Sequence, residues 1–205
     1  MTRIAAIIPV GSFVGAKSRL GESLDAEERQ DLVDGLLAHT VAAALGVERL
    51  ADVLVVSPDR DVLVRAAELG ARTFRQRSRG LNKGLREGIA DIVAGGADAV
   101  LILPIDLPFV SPTELVRVLD PLRVEEPIVV LVTDRHGTGT NVLGLRPPAA
   151  IDVAFGPGSR LAHRRASKAA GVRYVEVDGP LNVDLDTPDD LVYVESLMQA
   201  GVHVG

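Results

Sequence analysis

Cysteine is absent from the 205 residues. That excludes a disulfide framework, a thiolate metal site and a cysteine nucleophile, and it fits a reducing cytosol. Tryptophan is absent too, and aromatic side chains make up only 3% of the chain, while hydrophobic residues reach 47%. Valine, leucine, isoleucine and alanine must therefore fill the interior, as they do where helices pack on a parallel sheet. There is no long basic block and the formal charge is -6, which argues against a sequence-independent grip on nucleic acid. The four histidines, His39, His136, His163 and His203, lack zinc-ligand spacing. The apolar runs are far shorter than the roughly 20 residues of a bilayer-spanning helix. The first strand-like run begins almost at Met1, leaving no room for a signal peptide. A cytoplasmic protein with no membrane partner is expected.

The length suits one domain over residues 1–205. Strand-like runs occur at Ile4 to Pro9, Val53 to Ser57, Ala99 to Leu103, Ile128 to Thr133 and Val172 to Val177. Helical patterns mostly separate them, and this alternation predicts an α/β domain with a mostly parallel sheet. Asp25 is a helix cap with acids in the following turn, and Leu32, Leu36, Leu37, Val41 and Leu45 then form an apolar stripe at helical spacing. Further helices are predicted over Asp59 to Leu69, Leu81 to Ala94, Ser111 to about Leu122, Ser159 to Ala170 and Thr187 to Met198. The stretch Asp134 to Thr140 is a polar, glycine-containing loop.

Two acidic turns carry the chemistry. After the run Ala99 to Leu103 comes Pro104-Ile105-Asp106-Leu107-Pro108, and far downstream stands Asp184-Leu185-Asp186-Thr187-Pro188. A carboxylate between two prolines is held in a rigid turn, and hard cations prefer such oxygens. Ser111 already serves as the next helix cap, so Asp106 is assigned to a metal. Asp184 and Asp186 lie two apart, so an extended backbone turns both toward one side. Asp189 and Asp190 fall in a first helical turn, where acids complement the dipole.

The loop Gly11-Ser12-Phe13-Val14-Gly15-Ala16, closed by Lys17-Ser18-Arg19, follows the first strand. There ligands meet open α/β sheets. It is either a phosphate cradle charged by Lys17 and Arg19 or an ordinary connection with two solvated cations. Phe155-Gly156-Pro157-Gly158-Ser159 opens a helix and is either an anion cradle or a plain turn with Ser159 as cap. The loop Asp134 to Asn141 offers hydroxyls, an amide and a guanidinium, or is a hairpin tip. Arg72, Arg75, Arg77 and Arg79 read as a solvated face ahead of Gly80-Leu81-Asn82, a turn able to bring an amide to a base edge. His163 reads as a satisfied surface histidine or an aid to the anion site.

Taken in order, Ile8-Pro9-Val10 with Ala16 to Leu20, Gly80 to Asn82, Pro104 to Pro108, Asp134 to Asn141, Phe155 to Ser159 and Asp184 to Pro188 closely resemble the coenzyme F420 guanylyltransferases. The resemblance spans nearly the whole chain. These enzymes are similar to the wider nucleotidyltransferases of the MobA and sugar-nucleotide type. The resemblance implies a Rossmann-like three-layer sandwich of the nucleotide-diphospho-sugar transferase type. It also implies transfer of GMP from GTP to phosphoenolpyruvate or 2-phospho-L-lactate, with release of pyrophosphate. Its metal-binding aspartates fall on Asp106, Asp184 and Asp186, which would hold Mg²⁺, and its phosphoenolpyruvate contacts on Thr140, Gly156 and Ser159. Gly15, Lys17 and Arg19 would hold the GTP phosphates, with Lys17 and Asp106 catalytic, and Gly80 and Asn82 would meet guanine. Many members carry lysine where this chain has Gly11.

The expected partners are GTP and a small phospho-carboxylic acid, phosphoenolpyruvate in preference to 2-phospho-L-lactate or 3-phosphoglycerate. A homodimer is compatible with the sequence. The competing readings are a nucleotidyltransferase acting on a molybdopterin or sugar phosphate and a non-catalytic nucleotide-binding regulatory protein.

Overall fold

The computed structural model describes residues 2–12 and 24–200. Within them, seven strands form one sheet: β1 (Ile4–Pro9), β2 (Leu50–Ser57), β3 (Arg72–Arg75), β4 (Ala99–Ile102), β5 (Ile128–Val132), β6 (Val142–Arg146) and β7 (Arg173–Glu176). Their order is β3-β2-β1-β4-β6-β5-β7. Neighbours run parallel except at β6, which is antiparallel to both β4 and β5. The helices are α1 (Ala26–Leu45), α2 (Arg60–Glu68), α3 (Leu81–Ala94), α4 (Pro112–Leu119), α5 (Ser159–Ala170) and α6 (Pro188–Gln199).

Strand alternation explains the layers. On β1, Ile4, Ala6 and Ile8 face a core shared with α1, α2, α4 and α6, whereas Ala5 and Ile7 face a second core covered mainly by α3. Both faces of β1, β4 and β5 are thus dry, which is why these strands are almost uniformly aliphatic. At Gly88 of α3 an added Cβ would stand 2.8 Å from Val56 Cγ2, so the missing side chain sets how closely this helix lies on the sheet. Helix α1 starts at a capping box in which Asp25 accepts from the amides of Glu27 and Glu28 while Glu28 accepts from Asp25.

All five expected strands are present, and β3 and β6 are additional. Strand β3 lies at the sheet edge, and its Arg72 is not a freely solvated charge, since it pairs with Asp52 at 2.6 Å and also with Asp91. Strand β6 returns from the Asp134 to Asn141 loop as the second arm of a hairpin with β5. Helix α4 ends at Leu119, short of the expected Leu122, and Asp120–Arg123 continues as a tighter 3-10 turn containing Pro121.

The order places β1 beside both β2 and β4, so the chain steps away from β1 in opposite directions at this point. A crevice opens there beyond the carboxyl ends of the strands. The Asp106 turn leaves β4 at this crevice, and so does the chain leaving β1. No helix among the described residues is long and apolar enough to cross a membrane.

Candidate active site

A cavity of about 220 Å³ opens at this end of the sheet. Asp106, Thr140, Gly156, Ser159, Asp184 and Asp186 all line it, so six residues singled out from four separate sequence segments meet at one place. Gly15, Lys17 and Arg19 lie outside the described residues. Gly80 and Asn82 flank Leu81, which lines the same cavity. Of the described loop after β1, Ser12 donates to Asp59 at 2.5 Å and Gly11 accepts from the Ser57 hydroxyl at 3.3 Å.

The two acidic turns are stitched together by the backbone. The amide of Leu185 donates to the carbonyl of Asp106 at 2.9 Å, and Leu185 itself is buried. With Leu185 turned inward, Asp184 and Asp186 are both turned to the cavity that Asp106 also lines. Burial, reinforced by the negative charges of Asp106, Asp186 and Asp190, pushes the Asp184 carboxyl up to about 6. Crowded, partly desolvated carboxylates of this kind suit a hard divalent cation in donor chemistry and charge. Among the described residues no three acidic or imidazole groups already form a closed ion cage. The site is therefore a wall of convergent oxygens, and ligand oxygens would have to complete any coordination.

Asp190 has a larger part than complementing a helix dipole. It is buried, and its Oδ1 pairs with Arg135 at 2.6 Å. Its Oδ2 accepts from the amides of Asp186 and Thr187 and from the Thr187 hydroxyl. Burial opposes its ionisation, but the hydrogen bonds from Thr187, Arg135 and the backbone outweigh this and hold its carboxyl below the usual range. Arg135 comes from the β5–β6 hairpin tip, so that tip clamps the turn bearing Asp184 and Asp186. The 134–141 loop thus proves to be a hairpin tip and a wall of the cavity at once, since Asp134, Gly139 and Asn141 line it beside Thr140.

The opposite wall is the turn before α5. Gly156 has φ of +128° and Gly158 has φ of +72°, conformations that glycine alone adopts readily. Gly158, rather than Ser159, is the cap residue of α5, and no side chain caps the helix; its first two amides are taken up by backbone instead, Ser159 donating to the Gly156 carbonyl at 3.1 Å and Arg160 to the Thr138 carbonyl at 3.3 Å. Ser159 is buried at the cavity edge. Asn82 holds this turn from the α3 side: its amide donates to the Phe155 carbonyl at 2.9 Å and its carbonyl accepts from the Phe155 amide at 2.8 Å. One N–H and one lone pair of Asn82 remain beyond these bonds. Helix α3 likewise starts at a glycine, Gly80, with no side-chain cap.

His163 is fully buried rather than a surface histidine, bonded to Thr140 and to the amide of Ala154, and burial pushes its pKa down to about 4. Sequence reasoning also passed over the Arg135–Asp190 clamp and Asp134. A signal for His163 existed: Ser159, His163 and Ser167 recur every four residues on α5 and form its buried stripe.

The chain matches the family model described as guanylyl transferase CofC like over residues 4–201. It belongs to that family. Within the family it is 42% identical over 194 residues to a phosphoenolpyruvate guanylyltransferase of Rubrobacter xylanophilus, covering 94% of each chain. It is 42% identical to one of Sphaerobacter thermophilus, with 93% of this chain and 91% of that one covered. A 2-phospho-L-lactate guanylyltransferase of Methanocaldococcus jannaschii is 30% identical, with 92% and 81% covered. A nucleotidyl transferase structure from Methanothermobacter superposes with TM-score 0.69 at 17% identity, covering 98% of this chain and all of that one. This structural likeness supports the mostly parallel nucleotidyltransferase sandwich seen here.

Proposed function

We propose that this guanylyltransferase joins GMP from GTP to phosphoenolpyruvate, releasing pyrophosphate, as a step of coenzyme F420 biosynthesis. The observation that carries the reading is the single cavity in which Asp106, Asp184 and Asp186 face Thr140, Gly156 and Ser159. One wall suits a cation bound to a triphosphate and the other suits a small anion. The 42% identity to two phosphoenolpyruvate guanylyltransferases favours that acceptor. The 30% identity to a 2-phospho-L-lactate guanylyltransferase makes that acid the second reading.

In the reaction, an oxygen of the acceptor phosphate attacks the α-phosphorus of GTP, and the bond from that phosphorus to the β-phosphate oxygen breaks. The acceptor phosphate is already ionised near neutral pH, so no general base is needed. Asp106, Asp184 and Asp186 would hold Mg²⁺, which when bound offsets the charge of the triphosphate and of the departing pyrophosphate. The turn at Gly156, the Ser159 side chain and the Thr140 hydroxyl would orient the acceptor, and Gly80 and Asn82 would meet guanine. Gly15, Lys17 and Arg19 would engage the GTP phosphates, with Lys17 stabilising the transferred phosphoryl group.

Incubation with GTP, Mg²⁺ and, separately, phosphoenolpyruvate, 2-phospho-L-lactate or 3-phosphoglycerate tests this. The expected outcome is a guanylylated product of mass corresponding to phosphoenolpyruvate plus GMP, formed fastest with that acid. No pyrophosphate release with any of the three acids would overturn the reading.

A further inference from the structure

The Thr140–His163 pair carries a proton assignment. The amide of Ala154 lies 3.0 Å from His163 Nε2, and an amide N–H can only donate, so Nε2 must accept. A ring with a free lone pair on Nε2 is neutral and carries its hydrogen on Nδ1. Nδ1 stands 3.0 Å from Thr140 Oγ1, so it is the donor in that bond and the hydroxyl oxygen is the acceptor. Burial drives the ring in the same direction, holding it neutral. The edge of Phe155 meets the imidazole at 5.4 Å between ring centres, so the ring is held by Thr140, Ala154 and Phe155 together.

A threonine hydroxyl has one hydrogen to give. His163 occupies the acceptor side of Thr140, and among the described residues this hydroxyl makes no other hydrogen bond. Thr140 lines the cavity on the wall assigned to the acceptor. We propose that His163 is a positioning residue for the acceptor. Its Nδ1–H, given to Thr140 Oγ1, obliges the Thr140 hydroxyl to turn its own hydrogen into the cavity, where an anionic oxygen of the phospho-acid accepts it. The same imidazole grips Ala154, next to the turn at Gly156, and so sets two walls of the acceptor pocket at once. The inference rests on the reading of Thr140 as an acceptor contact.

Steady-state kinetics with GTP and phosphoenolpyruvate test it, using Thr140→Val, His163→Gln, His163→Asn and the double variant His163→Gln/Thr140→Val. Asparagine places an amide N–H near the position of Nδ1, and glutamine does not. His163→Gln is expected to raise the acceptor KM about tenfold, the scale of one hydrogen bond to a charged group, with the GTP KM within about twofold of wild type. His163→Asn restores most of the loss, and the double variant is no worse than Thr140→Val alone. If Thr140→Val leaves the acceptor KM unchanged, the reading of Thr140 falls. If Thr140→Val raises it while His163→Gln does not, or the two effects multiply, the positioning role falls. Nitrogen-15 NMR of the wild-type ring gives a check independent of any variant's folding: Nδ1 protonated and Nε2 bare at neutral pH is expected, and a proton on Nε2 overturns the assignment.

Discussion

Asp184 shows how the site trades stability for binding. Its carboxyl is raised on folding, so a penalty on the native state is absent below the unfolded value near 4, grows as pH rises from there and is complete above the folded value of about 6. Asp184→Asn is therefore expected to raise the melting temperature in EDTA at about pH 8, with the gain shrinking toward about pH 4. A lower melting temperature at about pH 8 would contradict the charge crowding. Gly11 permits the opposite experiment. A Cβ built there meets nothing within 4 Å, so Gly11→Lys should fold like wild type and lower the KM for GTP by returning the cation that many family members carry. An unchanged or higher KM would show that the triphosphate does not pass this point. At this scale the sequence was informative where chemistry is local: proline-framed Asp106 and the Asp184–Asp186 alternation could be read directly. Asp190 could not, because its partner Arg135 is 55 residues away and only the fold brings them together.

Among the elements, the β5–β6 hairpin is the one that assembles the site from a distance. Its tip carries Arg135 to Asp190 and its far end carries Thr140 to His163. Removing one partner of a mostly buried ion pair leaves the other charge uncompensated, so Arg135→Ala is expected to cost about 3 kcal/mol of stability in urea unfolding at neutral pH. A cost below about 0.5 kcal/mol, the level of an ordinary surface change, would show the clamp to be incidental. The aliphatic strands and capped helices were legible because period and caps agree, as at Asp25 and Ser111. Strand β6 was not, since Gly144 interrupts it where Leu122 fills the space, and β3 was masked by arginines that suit a sheet edge.

The whole molecule brings together segments from residue 81 to residue 186 at the crevice where the sheet order reverses around β1. Composition predicted the layers, because a chain poor in aromatics and rich in aliphatics needs a sheet buried on both faces. It could not predict that β6 would run against its neighbours, which depends on a hairpin closing within the sheet. The account depends on Asp106, Asp184 and Asp186 acting as one cation-binding wall. Calorimetric titration of Mn²⁺, as a probe for Mg²⁺, into wild type and into the three single Asp→Asn variants with GTP present measures this directly. Affinity for a hard cation follows the number of charged ligands, so each variant should bind about tenfold more weakly or worse. Wild-type affinity in any two of the three variants would contradict it.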